Sequence, residues 1–161
     1  MEQITLDATD LQLLDAMQSN ASLSNQALAE LMGISPPTGL RRIKRLREAG
    51  LIQREIALLD PDKLAHIIGY GLTAIVEITL DRQGDEHLSA FEQRVTVDAA
   101  VQQCYRTSPG PDLVLVVHVK DMPAYLLLSQ RLFTGDANVR NVKAFFSIKR
   151  SKFEPKVLVA Q

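Results

Sequence analysis

The chain carries a single cysteine, Cys104, in 161 residues. One thiol can neither close a disulfide within the chain nor supply a cysteine metal set, so Cys104 reads as a small strand residue in a reducing compartment. The histidines, His66, His87 and His118, are scattered, and none stands at metal-ligand spacing from a Cys, Asp or Glu. A glycine-rich phosphate loop, a nucleophile elbow and a paired-carboxylate motif are all missing. No apolar run approaches the ~18 residues a membrane span needs. The N-terminus, with Glu2, Gln3 and Asp7, is acidic and polar, unlike a secretory signal. These absences predict a cytoplasmic protein that is not an enzyme and uses no metal, no cofactor and no membrane.

What is present belongs to a folded chain: 46% apolar residues and 23% charged ones, enough for one ordinary domain or two small ones. The most informative stretch is SNQALAELMGISPPTGLRRIKRLREAG, residues 24–50. Ser24 is an N-cap ahead of the apolar positions Ala27, Leu28, Leu31 and Met32. Gly33 stands where a helix end favours positive φ. Ser35 is a second N-cap with Pro36 at the first helical position, and Gly50 closes that helix. Two short helices around a glycine-containing turn make a helix-turn-helix, whose second helix can enter the DNA major groove.

Charge supports this. From Pro36 to Arg54 the cations are Arg41, Arg42, Lys44, Arg45, Arg47 and Arg54 against the one anion Glu48, a local net of plus five in a chain whose net charge is −1. Phosphate neutralisation needs such local concentration. At about 100° per residue, Gly39, Leu40, Ile43 and Leu46 cluster on one side and are expected to pack inward. Thr38, Arg41 and Arg45 fall nearly opposite, with Pro37 and Lys44 on one flank and Arg42 on the other. The predicted DNA-contacting set is Ser35, Pro37, Thr38, Arg41, Arg42, Lys44 and Arg45, with Arg54 as a phosphate contact beyond the helix.

Upstream, Asp7 is expected to cap a first helix with Asp10 in its first turn and Leu11, Leu14 and Met17 as its buried stripe, Leu13 close by. Residues 51–59, LIQREIALL, read as a short strand or wing. Asp60-Pro61 breaks it, and residues 62–68 are expected to form a brief linker helix. The texture then changes. Strands are predicted at 72–80, 101–107, 113–120 and 139–149. Helices are predicted at 85–95, with Leu88, Phe91 and Val95 inward, and after the cap Asp121, with Tyr125, Leu128, Leu132 and Phe133 inward. The order β-α-β-β-α-β is the ferredoxin-like arrangement, an antiparallel sheet with both helices on one face. The other face is bare in a monomer, and strands apolar on both faces imply a partner that covers it. The fold class is therefore α+β: a winged helix-turn-helix over 1–60, a linker over 61–70 and a ferredoxin-like domain over 71–161.

The order of a Leu-Asp-x-x-Asp opening, a Gly-Ile-Ser-Pro turn, an Arg-Arg-Ile-Lys-Arg-Leu helix, a Gly-Leu-Ile exit and an Asp-Pro linker resembles the Lrp/AsnC regulators. The likeness continues through GLTAIVEITLDR, QQCYRTSPGPDLVLVVHVKDMPAYLLLSQRL and ANVRNVKAFFSI. The resemblance implies binding to double-stranded promoter DNA, dimerisation through the sheets with assembly to octamers, and an amino-acid effector near the loop between the second and third strands. In the family that loop commonly reads Thr/Ser-Gly-Asp-x-Asp-Tyr/Phe. Here Ser108 and Asp112 are retained, while Pro109, Gly110 and Leu113 replace the Gly-Asp pair and the aromatic. Val142 and Ala144 stand where the family favours threonine on the last strand. The implied effector set is Thr107, Ser108, Gly110, Asp112, Val142 and Ala144, short of polar partners for a zwitterion. The alternative is an enzyme of the sirohaem decarboxylase type, which resembles Lrp-fold proteins; the chain shows no cluster of His and aromatic haem contacts and has no Trp.

Overall fold

The computed structural model describes residues 4–69 and 71–159. Glu2 and Gln3 of the acidic N-terminus, Tyr70 of the expected linker and residues 160–161 lie outside the described residues. The chain forms two compact units, residues 4–58 together with 152–159, and Leu59–Ser151.

The first unit contains α1 (Ala8–Ser19), α2 (Asn25–Met32) and α3 (Pro36–Glu48). Asp7 caps α1 through a reciprocal box with Asp10, each carboxylate accepting from the other residue's backbone N–H. Ser24 caps α2, its hydroxyl accepting from Ala27 N at 3.1 Å. Gly33, at φ 64°, turns the chain into α3 in the left-handed region that only glycine adopts freely. Ser35 precedes α3 without a side-chain cap bond; its hydroxyl meets that of Thr38 at 2.8 Å instead.

The small core joins Leu13, Met17, Leu28 and Ile43, with Ala29 and Leu46 also buried. It corrects two expectations. The buried stripe of α1 runs through Asp10, Leu13 and Met17, while Leu11 and Leu14 are half-buried. Leu40 is 50% exposed, because α3 turns Gly39, Ile43 and Leu46 inward and Leu40 sits about 100° off that line. Gly39 permits the approach: a Cβ there would stand 3.4 Å from Ala29 Cβ. Leu31 is exposed for the same reason of phase on α2.

The strand expected at 51–59 does not form: residues 53–59 have no regular secondary structure and enter no ladder among the described residues, whose strands all belong to the second unit. Residues 152–159 group with the helices of this unit. Gln18 clasps the backbone of Val157, accepting from its N–H at 2.7 Å and donating to its carbonyl at 3.0 Å. Lys156 Nζ lies 2.9 Å from both Asp15 and the Ser19 hydroxyl. Leu11 and Leu14 line an apolar groove whose other wall includes Val157 and Val159.

The second unit begins with α4 (Pro61–Ile68) and continues as β1 (Leu72–Leu80), α5 (Asp85–Thr96), β2 (Val101–Arg106), β3 (Leu113–Val119), α6 (Met122–Ser129, extended by a π turn at Gln130–Thr134) and β4 (Val139–Phe146). The four strands form one antiparallel sheet in the order β2-β3-β1-β4, the ferredoxin-like order. Ala74, Val76, Ile78 and Leu80 of β1 and Leu113, Leu115 and Val117 of β3 point to one face, where they pack with Phe91, Val95, Tyr125, Leu128, Leu132 and Phe133 from the helices. The opposite face carries Ile75, Tyr105 and Phe145, each about half exposed, around partly buried Val114 and Val116. No helix among the described residues is long and apolar enough to cross a membrane.

Candidate nucleic-acid interface and effector loop

The outward face of α3 follows from its buried one. With Gly39, Ile43 and Leu46 inward, the residues opposite are Pro37, Arg41 and Lys44, flanked by Thr38 and Arg45. Arg41 is exposed and, among the described residues, has no ion-pair partner; the same holds for Arg54 beyond the helix. Lys44 makes only a loose contact with Glu48, 3.7 Å away, and stays 73% exposed. Ser35 and Pro37 are exposed at the start of the helix and Thr38 is partly buried.

Two of the expected contacts are differently engaged. Arg42 Nη1 donates to Asp7 at 2.7 Å and to Asp10 at 2.8 Å, and its side chain is only 25% exposed. Its Nε is buried without a hydrogen-bond partner. The two carboxylates raise the guanidinium's pKa further, Asp10 more than Asp7. Arg45 donates from Nη2 to Asp10 yet keeps 48% of its side chain exposed. Arg47 pairs with Glu55 at 2.6 Å. Asp10, buried at 0% exposure, thus receives cations from two positions of α3. The Asp10 backbone N–H first, and then Arg42, hold the Asp7 carboxyl below the ordinary aspartate range. Pattern reading treated Asp10 as a dipole partner only. The available signal was the shared spacing: Asp7 and Asp10 stand three apart, as do Arg42 and Arg45.

In the second unit, the loop after β2 is held by its own bonds. Thr107 N donates to the Asp112 carbonyl at 3.0 Å, and the Thr107 hydroxyl donates to the Pro111 carbonyl. The Asp112 carboxylate accepts from Leu80 N at 2.7 Å and from the Gln83 amide at 3.2 Å, tying the loop to the end of β1. Ser108 and Gly110 are exposed, with a cis peptide at Ser108-Pro109 and φ 130° at Gly110. Val142 and Ala144 pair with Ile78 and Val76 and pack with them on the helix side of the sheet. They serve the core there, because β4 must present alternate residues to the same face as its neighbour.

Residues 73–157 match the Lrp/AsnC ligand binding domain, and residues 6–53 match a winged helix-turn-helix DNA-binding domain. The DNA-binding transcriptional activator DecR of Escherichia coli is 33% identical, over 92% of this chain and 95% of its own. The crystal structure of an AsnC family transcriptional regulator from Agrobacterium tumefaciens is 30% identical and superposes with a TM-score of 0.81, covering 94% of this chain and 96% of that one. A transcriptional regulator from Neisseria meningitidis, solved as an L-Met complex, is 28% identical with a TM-score of 0.77, covering 95% and 96%. These relatives are named as regulators of transcription, and with a helix-turn-helix ahead of a ferredoxin-like sheet the chain belongs to the Lrp/AsnC family of transcriptional regulators.

Proposed function

We propose that the protein binds promoter DNA sequence-specifically in the cytoplasm, as a dimer or higher oligomer, and that an amino acid or related small metabolite modulates it. The observation that carries the DNA reading is the outward face of α3, where Arg41 is exposed and unpaired beside Thr38 and Lys44. Ser35, Pro37, Arg45 and Arg54 complete the contacting set. Arg42, turned onto α1, contributes less than its charge suggests. Two copies of α3 read major-groove segments about one helical turn or a multiple apart, so the target is an imperfect palindrome.

The half-exposed Ile75, Tyr105 and Phe145 support pairing through the bare face of the sheet, which a second copy covers. The effector reading rests on the family domain and on the likeness to the L-Met complex. The Asp112 carboxylate serves Leu80 and Gln83 through Oδ2 alone, so its Oδ1 and the backbone oxygens near Thr107, Ser108 and Gly110 are what an effector's ammonium group takes.

The test is fluorescence anisotropy on promoter DNA across salt. Arg41, Lys44 and Arg54 from two copies give about six phosphate contacts, so affinity falls by roughly a thousandfold between about 50 and about 200 mM salt. Salt-independent binding, or binding untouched by Arg41→Ala, refutes the reading.

A further inference from the structure

The buried Asp10 carboxylate has more to do than close a helix cap. Oδ1 accepts from Arg42 Nη1 at 2.8 Å, and Oδ2 accepts from Arg45 Nη2 and from Asp7 N at 3.2 Å. Both oxygens are therefore filled, on a residue with 0% exposure. The two arginines end in different states. Arg42 bridges two carboxylates through one nitrogen, has its Nε buried and is mostly covered. Arg45 spends a single donor on Asp10, and nearly half of its side chain faces solvent on the outward flank of α3. A guanidinium has five donors in a rigid planar fork. With one amino group committed to Asp10, the side chain loses rotamer freedom while the rest of the fork keeps donors to offer a base edge.

We infer that Asp10 is a specificity-determining positioning residue: it holds Arg45 as a preorganised fork for a guanine edge in the major groove, while withdrawing Arg42 from the DNA. The inference rests on the DNA-binding function proposed above and names how one side chain of that interface reads sequence. A flexible arginine on an exposed helix pays rotamer entropy to form a bidentate base contact and is equally content on a phosphate. An arginine tethered to a buried carboxylate has already lost that freedom, so the base contact is favoured over the many phosphate alternatives.

The full-length wild-type protein first enriches its preferred duplex from a randomised library. Its affinity for that duplex and for a random duplex of equal length is then measured, for wild type, Asp10→Asn, Asp10→Glu, Arg45→Ala and the Asp10→Asn/Arg45→Ala double variant. Asp10→Asn removes the charge that tethers Arg45. Asp10→Glu keeps the charge and the helix cap and shifts the carboxylate by one methylene. The expected result is a fall of roughly 5- to 100-fold in the ratio of specific to random affinity for both, with random-duplex affinity unchanged or higher. In the Arg45→Ala background, Asp10→Asn changes the ratio no further. A carboxylate that merely stabilises the fold would lower both affinities and do so with or without Arg45. The inference is overturned if folded Asp10 variants keep the wild-type ratio, if the fall persists without Arg45, or if circular dichroism shows that neither Asp10 variant folds. Wild-type protein that enriches no duplex refutes the proposed function itself.

Discussion

Replacing Ile43 and Leu40 separately with alanine tests the packing of α3 that places its outward face. The two residues are three apart on the same helix, and both look like core residues in the sequence. Ile43 is fully buried and Leu40 is half exposed. Ile43→Ala removes three buried carbons at about 0.8 kcal/mol each, about 2.4 kcal/mol before any cavity term. The hole left between α1, α2 and α3 raises the cost towards 3 kcal/mol or more, within the 2–5 kcal/mol range of such truncations. Leu40→Ala loses about half the transfer free energy and leaves no closed cavity, so roughly 1 kcal/mol is expected, reduced slightly by the better helix propensity of alanine. Because the chain has two units, a single melting temperature mixes them, and native-state hydrogen exchange of α2 and α3 amides is the appropriate measurement. At about 1.4 kcal/mol per tenfold, Ile43→Ala accelerates the slowest of these amides by roughly 150-fold and Leu40→Ala by roughly fivefold. Equal acceleration by the two substitutions would show that Leu40 is core, that α3 is rotated about its axis, and that Arg41 and Lys44 do not face outward.

Other expectations concern other parts of the chain. A charge at Ile75, in Ile75→Glu, places an unpaired carboxylate on the bare sheet face, and sedimentation should show monomers if that face is the dimer contact; an unchanged oligomer removes the face from the argument. Ending the chain after Ser151 deletes the bonds of Val157 to Gln18 and of Lys156 to Asp15 and Ser19, and uncovers Leu11 and Leu14. Exchange in α1 should then speed up by about tenfold, worth roughly 1–2 kcal/mol, while the sheet amides are unaffected. Asp98 accepts from Ala100 N at 3.0 Å and pairs with Arg131, and these two contacts, the backbone one first, lower its pKa. A depressed folded-state pKa means stability that is complete above the ordinary aspartate value of 3.8 and is lost as pH falls through the lower folded value. Asp98→Asn should therefore flatten the acid limb of the second unit's unfolding curve below about pH 4, and an unchanged limb assigns that proton uptake elsewhere.

The sequence by itself determined the local events. Helix caps at Asp7, Ser24 and Asp121, the left-handed glycine at position 33 and the period-two strands at 72–80 and 113–119 are set by interactions within a few residues. Their order sufficed for the α+β class and the family. Tertiary structure alone decided the phase of α3, because Gly39 nests on Ala29 and so chooses among apolar neighbours that periodicity cannot separate. It also decided which cations are free: Arg42 and Arg45 meet carboxylates more than thirty positions away in the chain. The irregular stretch at 53–59 and the outer face of the sheet show the same division. Their composition announces a strand or a contact, but a ladder or a covered face needs a second surface, and a single sequence does not say where that surface comes from.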